Sequence, residues 1–180
     1  MENGYIIGRF NHITNGHKRL IEIGLKVTDK LVLLVGSADK FGTERNPFPI
    51  SDRIMLIEKV FEKEVKSGKL IIVPIDDMTN ENDIPANGAW GRCVIQAATN
   101  ALGVKPNISI YGYEDSRTKW YLEEDIKDIE ELVYMRGENS ISATKIRNML
   151  KNNKKEEWLK NTPCQIHSFY DKLKKIIDNI

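Results

Sequence analysis

Short apolar runs alternate with longer amphipathic stretches along this chain, and that alternation restricts the fold more than any other feature. The runs are Tyr5–Ile7, Lys30–Val35, Leu70–Val73 and Ile108–Tyr111, with Glu131–Met135 expected as a fifth. Each is brief, rich in β-branched residues, Leu or Tyr, and bounded by glycine or charge, which reads as a strand. Lys30–Val35 shows no polar alternation, as expected for a strand buried on both faces of a parallel sheet. Between the runs lie helical patterns. One starts at Gly16 and carries Leu20, Ile21, Ile23 and Leu25. A second is expected to be capped by Ser51–Asp52, to carry Ile54, Leu56, Ile57, Val60 and Phe61, and to stop at Ser67–Gly68. Trp90, Val94, Ala97 and Leu102 suggest a third, closing at Gly103. Ser142 caps a fourth that runs to about Asn152, and a last amphipathic helix is expected from about Gln165 to Ile177. The pattern falters only between Tyr113 and Asp128. Strand–helix alternation of this kind predicts an α/β, doubly wound parallel sheet of about five strands, with helices on both faces and helices at the C-terminus.

The chain shows no internal repeat and no linker, so residues 1–180 are expected to form a single domain, long enough to bury its own core. Hydrophobic residues at 41% and charged residues at 29% exclude a disordered chain. Lys and Arg number 27 against 26 Asp and Glu, so the molecule as a whole has no field that would favour nucleic acid or a membrane surface. Any anion site must therefore be local. Cys93 and Cys164 are isolated and read as free thiols of a reducing compartment. The polar start Met1–Gly4 is unlike a signal peptide, and no apolar stretch of about 18 residues is present to span a bilayer. A cytoplasmic location is expected.

Two stretches point to an anion. In the first, Tyr5–His17, an apolar run meets Gly8, a polar loop follows, and a helix opens at Gly16. Strand, glycine loop and helix start bring backbone N–H groups and the positive end of the helix dipole to one place, with Arg9 and His17 adding side-chain donors. In the second, Ile141–Arg147, two hydroxyls, a lysine and an arginine open another helix. The long loop from Asp76 to Gly88 is a further candidate for function. Glycines or acids at the ends of the runs (Gly8, Gly36, Asp76 and Gly112) fall beyond the carboxyl ends of parallel strands, where such sheets bind ligands.

Taken together these residues resemble a known family. Gly8–Arg9–Phe10 with Thr14, Gly16 and His17 is similar to the (H/T)-x-G-H signature of the Rossmann-like nucleotidyltransferases, and Ile141–Arg147 matches their second motif, I-S-x-T-x-I-R, at every fixed position. Gly36–Ser37–Ala38, Thr43, Asn46–Pro47–Phe48 and Arg53 resemble the archaeal-type nicotinamide-nucleotide adenylyltransferases. Asn87 with Trp90 matches their N-x-x-W, while Gly112, Asp115 and Trp120–Tyr121 resemble the variant fused to Nudix domains. Trp158–Leu159 before Pro163 is similar as well.

The resemblance implies adenylyl transfer from ATP to nicotinamide mononucleotide, giving NAD and pyrophosphate, with Mg²⁺ accompanying ATP and with a homo-oligomer as an implied partner state. It implies that His17 donates to the α-phosphate, close to the reacting phosphorus. Thr14, Ser142, Thr144 and Arg147 would hold the outer phosphates, and Arg9 and Arg45 would line the phosphate channel. Gly8, Phe10, Gly16, Gly112 and Asp115 belong to the ATP side, and Asp77, Asn87 and Trp90 to the nicotinamide side, with Trp90 stacking on the ring and Asn87 reading the carboxamide. No dedicated metal ligands are implied. Three departures stand out. Thr14 replaces the archaeal histidine, His12 replaces a proline and is expected to loosen the loop, and the Asp77–Asn87 loop looks longer than usual. Rival readings are a pantetheine-phosphate or flavin-mononucleotide adenylyltransferase on the same scaffold, and a non-catalytic regulator that binds NAD.

Overall fold

A computed structural model describes residues 1–78, 88–112, 120–135 and 141–180. Its strands are β1 (Asn3–Gly8), β2 (Lys30–Val35), β3 (Leu70–Pro74), β4 (Ile108–Gly112) and β5 (Glu130–Tyr134). They form one five-stranded sheet in the order β3-β2-β1-β4-β5, every pairing parallel. The chain winds outward from β1 to β3 and then crosses back to lay β4 against the other side of β1. That reversal opens a crevice beyond the carboxyl ends of β1 and β4, the place where open parallel sheets bind ligands.

Side chains of successive strand residues enter two separate cores. Ile6, Leu31, Leu33, Val35, Leu70, Ile108 and Ile110 face the larger one. There they meet α1 (Asn15–Val27), α2 (Ile50–Val60), α6 (Ala143–Lys151), α7 (Lys155–Asn161) and α8 (Tyr170–Asp178). Tyr5, Val32 and Leu34 face the other core, covered by α4 (Ala89–Leu102), Tyr121 and Ile129. Two short helices, α3 (Glu62–Lys66) and α5 (Glu123–Ile126), complete the sequence of helices, and a 3₁₀ segment, Cys164–Phe169, leads into α8. Leu31–Val35 is wholly buried, which accounts for the unbroken apolar run that β2 shows in sequence.

Three local expectations need correction, the first being the single helix expected to run to Ser67–Gly68: α2 ends at Val60 and the separate α3 follows from Glu62 to Lys66. Ser51–Asp52 does not cap α2; the helix begins at Ile50 after Pro49, and the Asp52 carboxylate instead takes the Lys172 ammonium of α8 at 2.5 Å. The last helix is not continuous from Gln165, because the chain leaves Pro163 as a 3₁₀ turn that brings Ile166 and Tyr170 into the core beside Trp158. Helix α7 itself has no sequence signal at helical spacing, since Trp158 is its one buried residue.

Candidate active site

The stretch after β1 is not the loose polar loop that its composition suggests. Phe10, Asn11, His12, Ile13 and Thr14 are all buried, at 5% exposure or less. Phe10 sits at φ 46°, in the left-handed region that a bulky side chain rarely adopts, and its ring folds back over Gly8. A Cβ on Gly8 would stand 3.0 Å and 3.2 Å from two carbons of that ring, so any larger residue here would push the Phe10 ring aside by a few tenths of an ångström. A Cβ on Gly16, by contrast, would meet only the Thr14 hydroxyl at 3.5 Å, which leaves the backbone of the first α1 turn approachable.

Thr14 is the N-cap of α1. Its hydroxyl accepts from the His17 amide at 3.2 Å, and the Thr14 amide donates to Nδ1 of His17 at 3.3 Å. This is a capping box in which an imidazole takes the place of the usual Glu or Gln. Because Nδ1 accepts, the neutral His17 ring carries its proton on Nε2 and donates from there. The ring also packs edge-on against Phe10, with centroids 5.1 Å apart. Local chemistry thus fixes both the position and the tautomer of His17.

Arg53, on α2, holds the two loops at the carboxyl edge of the sheet together. Its side chain is 1% exposed; Nη1 donates to the carbonyls of Arg9 and Gly36, and Nη2 to that of Ser37, each at 2.8 Å. Burial lowers its pKa, opposed by Asp77 and reinforced by Arg9. A buried cation that fills three carbonyls serves as a fixed clasp. Beside it, Nδ2 of Asn11 donates to the side-chain oxygen of Asn46 at 2.5 Å, and the Asn46 amide donates to the Thr43 hydroxyl at 3.0 Å. In sequence Arg53, Asn11 and Asn46 carry no functional signal beyond a family likeness. Arg53 did leave a signal, since it lies in register with Leu56, Ile57 and Val60 on the buried side of α2.

On α6, Ser142 is the N-cap and accepts from the Lys145 amide at 3.3 Å. Nη2 of Arg147 donates to the Thr144 hydroxyl at 3.2 Å. Burial lowers the Arg147 pKa, and the positive charge of Arg9 lowers it further. His17 and Arg147 both act on the buried ring of His12. Donors that are far apart in the chain, Arg9 and His17 from the β1–α1 stretch and Arg147 from α6, therefore share one electrostatic neighbourhood. Like charges held together in this way favour an anion between them. Thr144 and Arg147 also line a cleft of about 140 Å³ with Glu44, Asn148 and Lys151 among its other walls, and Glu44 and Lys151 pair at 3.1 Å; His17 and Trp90 do not line it.

His12 does not loosen the loop. Its ring is fully buried, Nδ1 bonds the Ile13 carbonyl at 2.7 Å, and Nε2 accepts from the indole N–H of Trp158 at 3.0 Å. Burial pushes its pKa down to about 4; the Ile13 carbonyl opposes this, and the charges of His17 and Arg147 add to it.

The remaining expected residues are placed as follows. Gly112 is buried at the end of β4, paired with Tyr134. Arg45 is exposed in the β2–α2 loop. Asp77 forms an ion pair with Lys40 at 2.9 Å, and its amide donates to the Asp39 carboxylate at 3.3 Å. Trp90 opens α4 on the opposite face of the sheet from α1 and α6, 8% exposed and packed in the smaller core. Asn87 and Asp115 lie outside the described residues. Among the described residues, no group of three or more His, Cys, Asp or Glu side chains is gathered to hold a metal, and no helix is long and apolar enough to cross a membrane.

A Rossmann-like sheet with side-chain-capped helix N-termini at its carboxyl edge suits a phosphate-bearing ligand, and the likeness to known proteins makes the chain a nucleotidyltransferase. The model of the cytidylyltransferase-like family matches residues 5–170, and the chain belongs to that family. A nicotinamide-nucleotide adenylyltransferase of Sulfurisphaera tokodaii is 31% identical over 169 residues, covering 93% of this chain and 89% of that protein. One of the same name from Halorubrum lacusprofundi is 40% identical over 76 residues, and the aligned stretch spans 42% of each protein. Among solved structures, a bifunctional NMN adenylyltransferase/ADP ribose pyrophosphatase from Francisella tularensis, complexed with AMP and a Mn ion, superposes with a TM-score of 0.72 at 19% identity. The superposition covers 98% of this chain and 49% of that one, so the chain spans about half of the Francisella protein.

Proposed function

We propose that this protein transfers the adenylyl group of ATP to nicotinamide mononucleotide, yielding NAD and pyrophosphate. The observation that carries the reading is the pair of side-chain-capped helix starts, Thr14–His17 on α1 and Ser142–Arg147 on α6, in a chain whose residues 5–170 match the family. A phosphate oxygen of the mononucleotide attacks the α-phosphorus of ATP; the bond from that phosphorus to the bridging oxygen of the β-phosphate breaks, and pyrophosphate leaves with the electron pair. No protein atom becomes covalently attached, so the work of the chain is to position two polyanions and neutralise growing charge.

In this reading His17 donates its Nε2–H to an α-phosphate oxygen. Thr14 caps α1 through its hydroxyl oxygen and gives its hydroxyl proton to an outer phosphate, and the open first turn at Gly16 supplies backbone N–H groups. Ser142, Thr144 and Arg147 take the outer phosphates, and Arg147 is the main partner of the leaving group. Arg9 and Arg45 line the approach, and Gly8, Phe10, Gly112 and Asp115 belong to the adenosine and phosphate side. The mononucleotide is assigned to the start of α4 with Asp77, Asn87 and Trp90. Trp90 stacks its indole on the nicotinamide ring, and Asn87 reads the carboxamide.

The donor set assigned to the phosphates consists of hydroxyls, an imidazole and guanidinium groups, which suits phosphate oxygens rather than a cation. Such a set fits Mg²⁺ that arrives on the nucleotide and shares its charge. We assign the whole chain to one catalytic domain that works in the cytoplasm and assembles as a homo-oligomer.

The test is direct. ATP with nicotinamide mononucleotide should give NAD and pyrophosphate in equal amounts. Turnover with pantetheine phosphate or flavin mononucleotide in its place would redirect the acceptor. Tight NAD binding without pyrophosphate release would turn the protein into a regulator.

A further inference from the structure

The β1–α1 stretch is tied to α7 at two points, and neither tie belongs to the phosphate-binding groups themselves. The first is the hydrogen bond from the Trp158 indole to Nε2 of His12, at 3.0 Å between two side chains with no solvent exposure. The second runs from Nδ2 of Asn15 to the Lys160 carbonyl at 3.1 Å. The first is the more constraining. Trp158 is locked edge-on against His12 and Tyr170, at centroid distances of 5.5 Å and 5.3 Å, and tilted against His167 at 5.7 Å. Phe48 also meets the His12 ring edge-on, with centroids 6.0 Å apart. The ring therefore has no rotamer freedom with which to trade its partners.

The chemistry of the ring is also decided. Trp158 can only donate, so Nε2 must accept; the proton then resides on Nδ1 and goes to the Ile13 carbonyl. A protonated ring would set N–H against N–H at the indole. His17 lies five residues beyond His12, and Thr144 and Arg147 lie on α6, the helix that directly precedes α7. The pair thus joins the stretch that leads to His17 with α7, which packs against α6, the helix that carries Thr144 and Arg147.

We propose that His12 is a positioning residue that, through Trp158, sets the spacing between the α1 N-terminus bearing His17 and the α6 N-terminus bearing Arg147, and so fixes the span available to a triphosphate. This rests on the adenylyltransferase reading and adds to it a strut specific to a chain with histidine at this position. The strut acts on ATP and not on the mononucleotide, because α4 contributes nothing to it.

Steady-state kinetics of His12→Phe, Trp158→Phe and the double variant test the strut. Each single change keeps an aromatic ring and removes one end of the bond. The kcat/KM for ATP should fall by about ten- to a hundredfold in each, as small misplacements of reacting groups do. The double variant should be no worse than either single, since both delete one interaction. The KM for nicotinamide mononucleotide should stay within about twofold of the unaltered protein, and His12→Gln, whose amide can accept from Trp158 and donate to Ile13, should recover most of the loss. Unchanged kcat/KM for ATP, equal losses on both substrates, or fully additive losses would overturn the proposal. If the unaltered protein makes no NAD, the adenylyltransferase reading fails; the strut is then judged by ¹⁵N NMR, which also serves if the variants do not fold. Adding a non-hydrolysable ATP analogue should shift the Trp158 indole N–H resonance while His12 stays neutral with its proton on Nδ1. An indole signal that does not move at saturating analogue, or a proton found on Nε2, would likewise overturn the strut.

Discussion

Arg53 and His12 show how much a single buried polar side chain can decide. Replacing Arg53 by Lys leaves a cation that cannot reach the carbonyls of Arg9, Gly36 and Ser37 together, and buried acceptors without donors are costly. Arg53→Lys should lower unfolding stability by about 3–5 kcal/mol in urea titrations. For His12 the sign follows from its lowered pKa. The folded ring resists protonation until about pH 4, whereas the unfolded ring binds a proton near its ordinary 6.5. The unfolded state therefore takes up more protons between those values, and stability falls as pH drops through that window. The loss from this group should be about 2 kcal/mol between pH 7 and pH 5, seen as a lower urea midpoint, and should vanish in His12→Phe. His17→Ala should cut turnover by about two orders of magnitude, as loss of a transition-state donor does. Losing its side of the capping box should cost only about 1 kcal/mol of stability, so circular dichroism should show the fold retained.

At the scale of elements, what matters most is where helices begin. Helices α1 and α6 open with side-chain caps, Thr14 and Ser142, and both N-termini carry the donors assigned to phosphate. Ser142→Ala should destabilise the protein by about 1 kcal/mol and weaken ATP binding while leaving the mononucleotide unaffected, which calorimetric titration of each ligand can separate. The cap of α6 was readable because a hydroxyl ahead of a helical pattern is a local signal. The cap expected for α2 fails for an equally physical reason: Asp52 meets Lys172, 120 residues away, and no local pattern reveals that partner. Helix α7 is silent in sequence because one buried tryptophan makes no stripe. The β1–α1 stretch is polar and loose by composition, yet its polar groups are taken up by Asn46, Trp158 and the helix cap.

Over the whole molecule, the two sheet faces do different work. One face carries α4 with Trp90 in a small core, and the other stacks α1, α2 and the C-terminal helices in a larger one. Ile166, Tyr170 and Leu173 from the chain end are almost wholly buried there. Their burial contributes about 2 kcal/mol apiece, a sum comparable with the roughly 5–15 kcal/mol of an ordinary domain. Deleting residues 164–180 should therefore abolish cooperative unfolding and the near-ultraviolet dichroism of Trp158. The sequence by itself determined the strands, their parallel stacking, the glycine-ended β1 and the Ile141–Arg147 helix start, because periodicity and capping act over a few residues. Only the tertiary structure decided that Arg53 clasps two loops, that Trp90 is walled into a core, and that His12 meets Trp158 across 146 positions of chain. Such contacts depend on how the helices pack on the sheet, and packing between distant segments leaves no periodic trace in either one.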